Sequence, residues 1–263
     1  MRKGEVKVTI LGSGTSTGVP TIGCPCEVCR SPSPFNKRTR ASILLSHIEN
    51  GTNLVIDTSP DFRAQVLRHD VTHLEYALFT HTHADHCHGL DDLRAFYFWS
   101  RKPVDCWIRK DHAKDFRARF SYVFSDTGYL GTAPQIKLHA ISAGHFKAGG
   151  YDIELIKLPH GTETTSAFRL GPFAYATDFK SFPPEAIEKW KGKLEVFVAS
   201  GVQFKEHRTH SSVPETIELF RQLEVKRGII THLSHAIDYE RDSRNLPSFA
   251  EYAYDGLQFT VEI

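Results

Sequence analysis

Five apolar segments of this chain each run into a single Asp or His, and that recurrence restricts the fold more than any other feature. Asn53-Leu54-Val55-Ile56 ends on Asp57, Tyr76 to Thr80 on His81, Tyr151 to Leu158 on Pro159-His160, Phe173 to Thr177 on Asp178, and Gly228 to Thr231 on His232. A strand holds its last residue at the rim of a sheet, and function in α/β architectures gathers at such ends. Helical patterns separate the strands, at 61–69, 89–99, 111–120, 184–190 and 214–223. Further strands are predicted at 6–11, 41–46, 104–108, 166–170, 194–199 and 256–263, with Glu49-Asn50-Gly51 as a hairpin turn after the second. The pattern is α/β, with no low-complexity linker to divide it.

The strongest chemistry lies in His81-Thr82-His83-Ala84-Asp85-His86. On an extended turn the first two histidines can face one way while Asp85 and His86 face another, which points to two adjacent ions. Imidazole with carboxylate suits Zn²⁺, Mn²⁺ or Fe²⁺, and without sulfur the donor set does not choose among them. A polar loop in which Thr82 and Asp85 cap a helix is the plain alternative, but it has little use for so dense a cluster after a buried strand. Lys and Arg number 32 against 31 Asp and Glu, a net charge of +1, which argues against a polyanion clamp and against a nucleic-acid partner. No apolar run approaches the length of a membrane span, and the start, Met1-Arg2-Lys3-Gly4-Glu5, has no apolar signal region. A cytoplasmic location is therefore expected.

His81-x-His83-x-Asp85-His86, followed by His160, Asp178 and His232 at strand ends and preceded by Asp57, resembles the metallo-β-lactamase superfamily. The resemblance implies a four-layered αββα sandwich, one domain over 1–263, with a dinuclear centre between the sheet edges. By it His81, His83 and His160 bind one divalent ion, Mn or Zn; Asp85, His86 and His232 bind the other; Asp178 bridges them; and Asp57 orients ligands without binding metal. Such a pair activates water for an in-line displacement at phosphorus. A carboxylate at 178 disfavours antibiotic hydrolysis, and the stretch after His232 is short for the helical substrate domain of glyoxalase II.

A second cluster, Gly23-Cys24-Pro25-Cys26-Glu27-Val28-Cys29, holds three of the five cysteines in a Gly- and Pro-rich loop at about 12–40. Three thiolates are one short of a tetrahedral zinc site, and His235, one turn beyond His232, is a candidate fourth ligand. A reactive thiol pair and unmetallated buried cysteines are the alternatives. With Leu11-Gly12-Ser13-Gly14-Thr15-Ser16-Thr17-Gly18-Val19-Pro20 ahead of it and Thr231-His232-Leu233-Ser234-His235 later, this cluster resembles the phosphoribosyl 1,2-cyclic phosphate phosphodiesterase family of the carbon-phosphorus lyase pathway. That resemblance implies a structural zinc on Cys24, Cys26, Cys29 and His235. It also implies a role for His210, in Thr209-His210-Ser211-Ser212, in contacting the phosphoryl oxygen or protonating the leaving oxygen.

The implied substrate is a small-molecule phosphate diester, opened to ribose 1,5-bisphosphate in that family. Asp85 and Asp178 join His210 as the residues expected to carry catalysis. A tRNA 3′-processing endonuclease and an accessory protein resembling PQQ biosynthesis protein B are the rival readings. His47, His69, His73, His88, His112, His139, His145 and His207 are expected at the surface or in loops, Lys205 and Arg208 on a solvated face, and Phe96-Tyr97-Phe98-Trp99 in the core. A homodimer is expected by base rate.

Overall fold

Segments with period-two apolarity must bury one face or both, and the helical segments between them supply the cover. The computed structural model describes residues 4–124 and 133–263; the charged start at Met1-Arg2-Lys3 lies outside them. The first sheet contains β1 (Glu5–Gly12), β2 (Ser42–His47), β3 (Asn53–Ile56), β4 (Tyr76–Leu78), β5 (Val104–Arg109) and β6 (Ile136–Ile141). The second contains β7 (Gly144–Ala148), β8 (Tyr151–His160), β9 (Glu163–Leu170), β10 (Phe173–Ala176), β11 (Val196–Ser200), β12 (Arg227–Thr231) and β13 (Ala250–Tyr252), while β14 (Gln258–Glu262) returns to the first. Their orders are β14-β1-β2-β3-β4-β5-β6 and β13-β12-β11-β10-β9-β8-β7.

Each sheet combines an antiparallel stretch with a parallel one. Strands β3 to β6 run parallel, as do β10 to β13. The inner faces meet in one core, where Val8, Ile10, Ile43, Leu54, Ile56 and Leu78 lie against Phe168, Phe173, Tyr175, Val198 and Ile229. Helices α1 (Glu27–Arg30), α2 (Phe62–Arg68), α3 (Ala84–Cys87), α4 (Arg94–Ser100), α5 (Lys110–Arg119) and α6 (Ser121–Phe124) belong to the first half of the chain, and α7 (Pro184–Trp190), α8 (Val213–Gln222) and α9 (Tyr239–Asp242) to the second. Phe62, Phe96 and Phe116 cover the outer face of the first sheet, and Trp190, Leu219 and Phe220 that of the second. The result is the four-layered αββα sandwich.

Three strands escape the sequence pattern: β6, β7 and β13. All are edge strands, and β6 and β7 are half-exposed along most of their length, so they lack the apolar alternation that burial imposes. The aromatic run also divides. Phe96 is in the core, whereas Trp99 is 85% exposed and Phe98 40%, because α4 presents only one side to the sheet.

The parallel arrangement delivers the ends of β3, β4, β10 and β12 to one end of the sandwich. There the sheets are tied together: the Ser166 amide donates to the Thr80 carbonyl at 3.0 Å, and buried Arg109 donates to the Thr165 carbonyl at 2.7 Å. Gly89 lets the turn after α3 approach the turn after β3. Its amide donates to the Thr58 carbonyl at 2.9 Å, and a Cβ there would lie 2.1 Å from the Ser59 carbonyl oxygen. Since that neighbour is backbone, Gly89→Ala is expected to cost about 1–3 kcal/mol, measured by denaturant unfolding. A loss below 0.5 kcal/mol, on the order of a neutral surface change, would show that the turn is free to move.

Candidate metal centre

Three residues at the rim take a left-handed backbone: Asp57 (φ 66°), Asp178 (φ 54°) and His232 (φ 56°). Asp, Asn and His are the non-glycine residues that tolerate this region best, and such strain collects at functional sites. The turns swing the side chains inward between the sheets, where all three are buried.

Asp57 organises the first half of the cluster. Its Oδ1 accepts the Thr80 amide at 2.8 Å, and its Oδ2 accepts the Thr80 hydroxyl at 2.8 Å and His86 Nδ1–H at 2.7 Å. With its proton committed to Asp57, the Thr80 hydroxyl accepts from His81 Nδ1 at 3.0 Å. Both histidines are thereby set with Nε2 free as a lone-pair donor. His160 is fixed in the same way from the other sheet, since its Nδ1 donates to the Thr209 carbonyl at 3.1 Å. His83 Nε2 faces Glu163 Oε2 at 3.3 Å, which leaves Nδ1 as its free donor.

The structure brings together every residue expected at the catalytic cluster. Ligand atoms of His81, His83 and His160 lie within 4.8 Å of one another, as do those of Asp85, His86 and His232, and those of His81, His86 and Asp178. Asp178 Oδ2 is 2.8 Å from His86 Nε2 and 3.3 Å from His232 Nε2, and Asp85 Oδ2 is 3.2 Å from His86 Nε2. His81 Nε2, His86 Nε2, His232 Nε2 and Asp178 Oδ2 are buried without a hydrogen-bond partner. Lone pairs converging on one another in a dry pocket call for positive charge between them, which is what divalent ions supply. The electrostatics agree. Burial works against ionisation of Asp178 and Asp85, yet the neighbouring His232 and His86 hold both carboxyls well below the ordinary range. Burial likewise opposes a proton on His86, but Asp85, Asp178 and Asp57 push its pKa well above the usual value. His81, buried and next to His86, is pushed well below its usual value and stays neutral.

His210 stands at the edge of this pocket, its Nε2 2.7 Å from Asp178 Oδ1. Three contributors, Thr80, Thr209 and His207, carried no signal in sequence. Thr80 and Thr209 act through hydrogen bonds that only folding reveals. Of the histidines expected at the surface or in loops, His112 is instead buried on α5 against Arg109 Nη2 at 2.6 Å, whereas His207 does lie in a loop, half-buried, with its Nδ1 3.1 Å from His210 Nδ1. Lys205 and Arg208 are exposed.

The second cluster also assembles. His235 Nδ1 is 3.2 Å from Cys24 Sγ and 3.4 Å from Cys26 Sγ, and the ligand atoms of Cys24, Cys26, Cys29 and His235 lie within 4.8 Å of one another. A tetrahedral zinc with Zn–S bonds near 2.3 Å has edges of about 3.8 Å, so the four donors fit one ion. Cys26 caps α1 and accepts the Cys29 amide, which with His235 and Cys24 lowers its pKa to about 6. Arg38 closes the loop beneath. Fully buried, it donates to the carbonyls of Phe35, Ser234 and Ile237, and its backbone pairs with Val19. Burial lowers its pKa to about 10, still charged at neutral pH.

Comparison with known proteins agrees with this architecture. The Beta-lactamase superfamily domain matches residues 52–233. An octanoyltransferase of Porphyromonas gingivalis is 35% identical over 260 residues, covering 98% of this chain and 52% of that protein; the chain thus spans about half of that relative. A solved structure described as a new diphosphatase from the PhnP family superposes with a TM-score of 0.90 at 33% identity, over 98% of each chain. Zinc-bound PqqB from Methylobacterium extorquens shares the fold, with a TM-score of 0.78 at 19% identity over 96% of this chain and 99% of that one. This chain belongs to the beta-lactamase superfamily, has the metallo-β-lactamase fold, and is related to the PhnP family.

Proposed function

We propose that the chain is a metal-dependent phosphodiesterase that opens a small cyclic phosphate diester of the phosphoribosyl 1,2-cyclic phosphate kind. The observation that carries this reading is the division of labour at Asp178. Its Oδ2 faces His86 and His232 in the donor cluster while its Oδ1 holds His210 at 2.7 Å, so an imidazole stands beside the place where a phosphate would bridge the centre. Divalent ions, Mn or Zn, on His81, His83 and His160 and on Asp85, His86 and His232, with Asp178 between, would lower the pKa of a water and neutralise charge at phosphorus. A structural zinc would sit on Cys24, Cys26, Cys29 and His235. Asp57, Thr80 and Thr209 hold His86, His81 and His160 in the tautomer that would ligate. His210 hands its proton to the departing oxygen, which in a cyclic diester is a ring alkoxide and a poor leaving group without one.

A linear diphosphate is the second reading, favoured by the 33% identical relative described as a diphosphatase. Its leaving phosphate departs as a stable anion and needs His210 less. The octanoyltransferase description belongs to a protein of which this chain covers 52%, and nothing in the donor set speaks for acyl transfer. Net charge +1 gives no support to a nucleic-acid substrate, and among the described residues no helix is long and apolar enough to cross a membrane.

The test is turnover followed by ³¹P NMR, with Mn²⁺ or Zn²⁺ present, on phosphoribosyl 1,2-cyclic phosphate and on a nucleoside diphosphate. The cyclic diester is expected to give the higher kcat/KM by about tenfold or more, within the range that one pocket contact can discriminate. The reverse order would shift the reading to diphosphate hydrolysis, and turnover of neither would overturn both.

A further inference from the structure

The turn from His207 to His210 carries two imidazoles and, between them, a threonine that contacts both. Thr209 is its hub: the carbonyl accepts from His160 Nδ1, the amide donates to His207 Nδ1 at 3.3 Å, and the hydroxyl lies 2.9 Å from His210 Nδ1. Gly161, at φ 62°, makes room for it, since a Cβ there would meet Thr209 Cγ2 at 2.8 Å. An amide N–H can only donate, so His207 Nδ1 presents its lone pair and the ring carries its proton on Nε2. The same lone pair lies 3.1 Å from His210 Nδ1, with the two rings in edge contact at 72°. His210 Nδ1 then presents N–H toward it while Nε2–H donates to Asp178 Oδ1, so both ring nitrogens face an acceptor. Burial and the neighbouring His210 lower the pKa of His207, consistent with a neutral ring that accepts.

We infer that His207 is a positioning residue which, by accepting from His210 Nδ1–H, fixes the ring orientation that aims His210 Nε2–H at the reacting centre. The inference rests on the hydrolase reading given above. Without that acceptor the ring can turn over about χ2, which takes Nε2 away from the reacting centre, or let Nδ1 accept from the Thr209 hydroxyl, which leaves a neutral ring and a weaker acid at Nε2.

The experiment has two readouts on the metal-loaded protein. In ¹⁵N-histidine NMR, His210 should show Nδ1–H in the wild type and in His207→Gln, whose side-chain carbonyl can accept. In His207→Ala it should show a mixture. In kinetics, His207→Ala should lower kcat on a dialkyl or cyclic alkyl phosphate diester by about 10- to 100-fold with KM changed less than about threefold. On bis(p-nitrophenyl) phosphate, whose leaving group departs unprotonated, the loss should be under about threefold, and His207→Gln should recover most of the alkyl activity. Equal losses on both substrates, no loss on either, or no difference between Gln and Ala would overturn the inference. Absence of wild-type turnover on any diester would count against the hydrolase reading instead, and the NMR tautomer would still decide the role of His207. Thermal unfolding of each variant separates these outcomes from misfolding, with Gln as the variant expected to fold.

Discussion

Asp178→Ala should abolish hydrolysis, lowering kcat by roughly a thousandfold or more, the scale at which electrostatic groups at a reacting centre act. Three functions meet in this carboxylate: Oδ2 joins two donor groups, Oδ1 holds His210, and its charge balances the imidazoles around it. The backbone at 178 is left-handed, so alanine adds a conformational cost of about 1–2 kcal/mol that is unrelated to chemistry. Asp178→Asn removes that ambiguity because asparagine tolerates the same backbone and has nearly the same shape. Both variants should lose activity, and metal analysis should show both depleted of catalytic metal. Retention of more than a tenth of wild-type kcat by Asn, with full metal content, would sink the dinuclear mechanism.

Replacing Cys26 and Cys29 with Ser should remove one zinc per chain and lower Tm by about 10 °C. An ion held about a thousandfold above its dissociation constant contributes about 4 kcal/mol, worth a shift of that size in a chain of this length. The turn carrying His235 also carries His232, so partial loss of activity is expected alongside. The fold should survive, since Arg38 still ties the Cys loop to the carbonyls of Ser234 and Ile237. Thiol chemistry gives an independent check. In zinc-stripped wild type Cys26, with a pKa of about 6, is thiolate at pH 7 and should alkylate first; below pH 6 it protonates and the reaction should slow. Buried Cys87, pushed up to about 12, and buried Cys106, pushed higher still, should stay unreacted until the chain unfolds. Unchanged Tm and zinc content in the double Ser variant would remove the structural zinc.

Much of the centre was legible because its signals are local. His81-x-His83-x-Asp85-His86 is contiguous, and the apolar runs that end on Asp57, Asp178 and His232 come from burial on both faces of inner strands, while the strand ending on His160 alternates because part of one face is exposed. The edge strands β6, β7 and β13 were not legible, since exposure relaxes the pattern. The burial of His112 and the partner of His207 were not legible for a related reason. A lone histidine has no period, and its role depends on a partner that only the fold supplies, His210 in one case and Arg109 in the other.

Residue type and order thus determined which donors this protein owns and that strands would deliver them to one rim. The tertiary structure decided how they combine. Stacking two parallel-ended sheets sets the distances between donors remote in the chain, left-handed turns at Asp57, Asp178 and His232 point them inward, and hydrogen bonds with Asp57, Thr80 and Thr209 choose the nitrogen that His86, His81 and His160 leave free. Those choices are made by partners brought together across the two sheets, so no single stretch of sequence contains them.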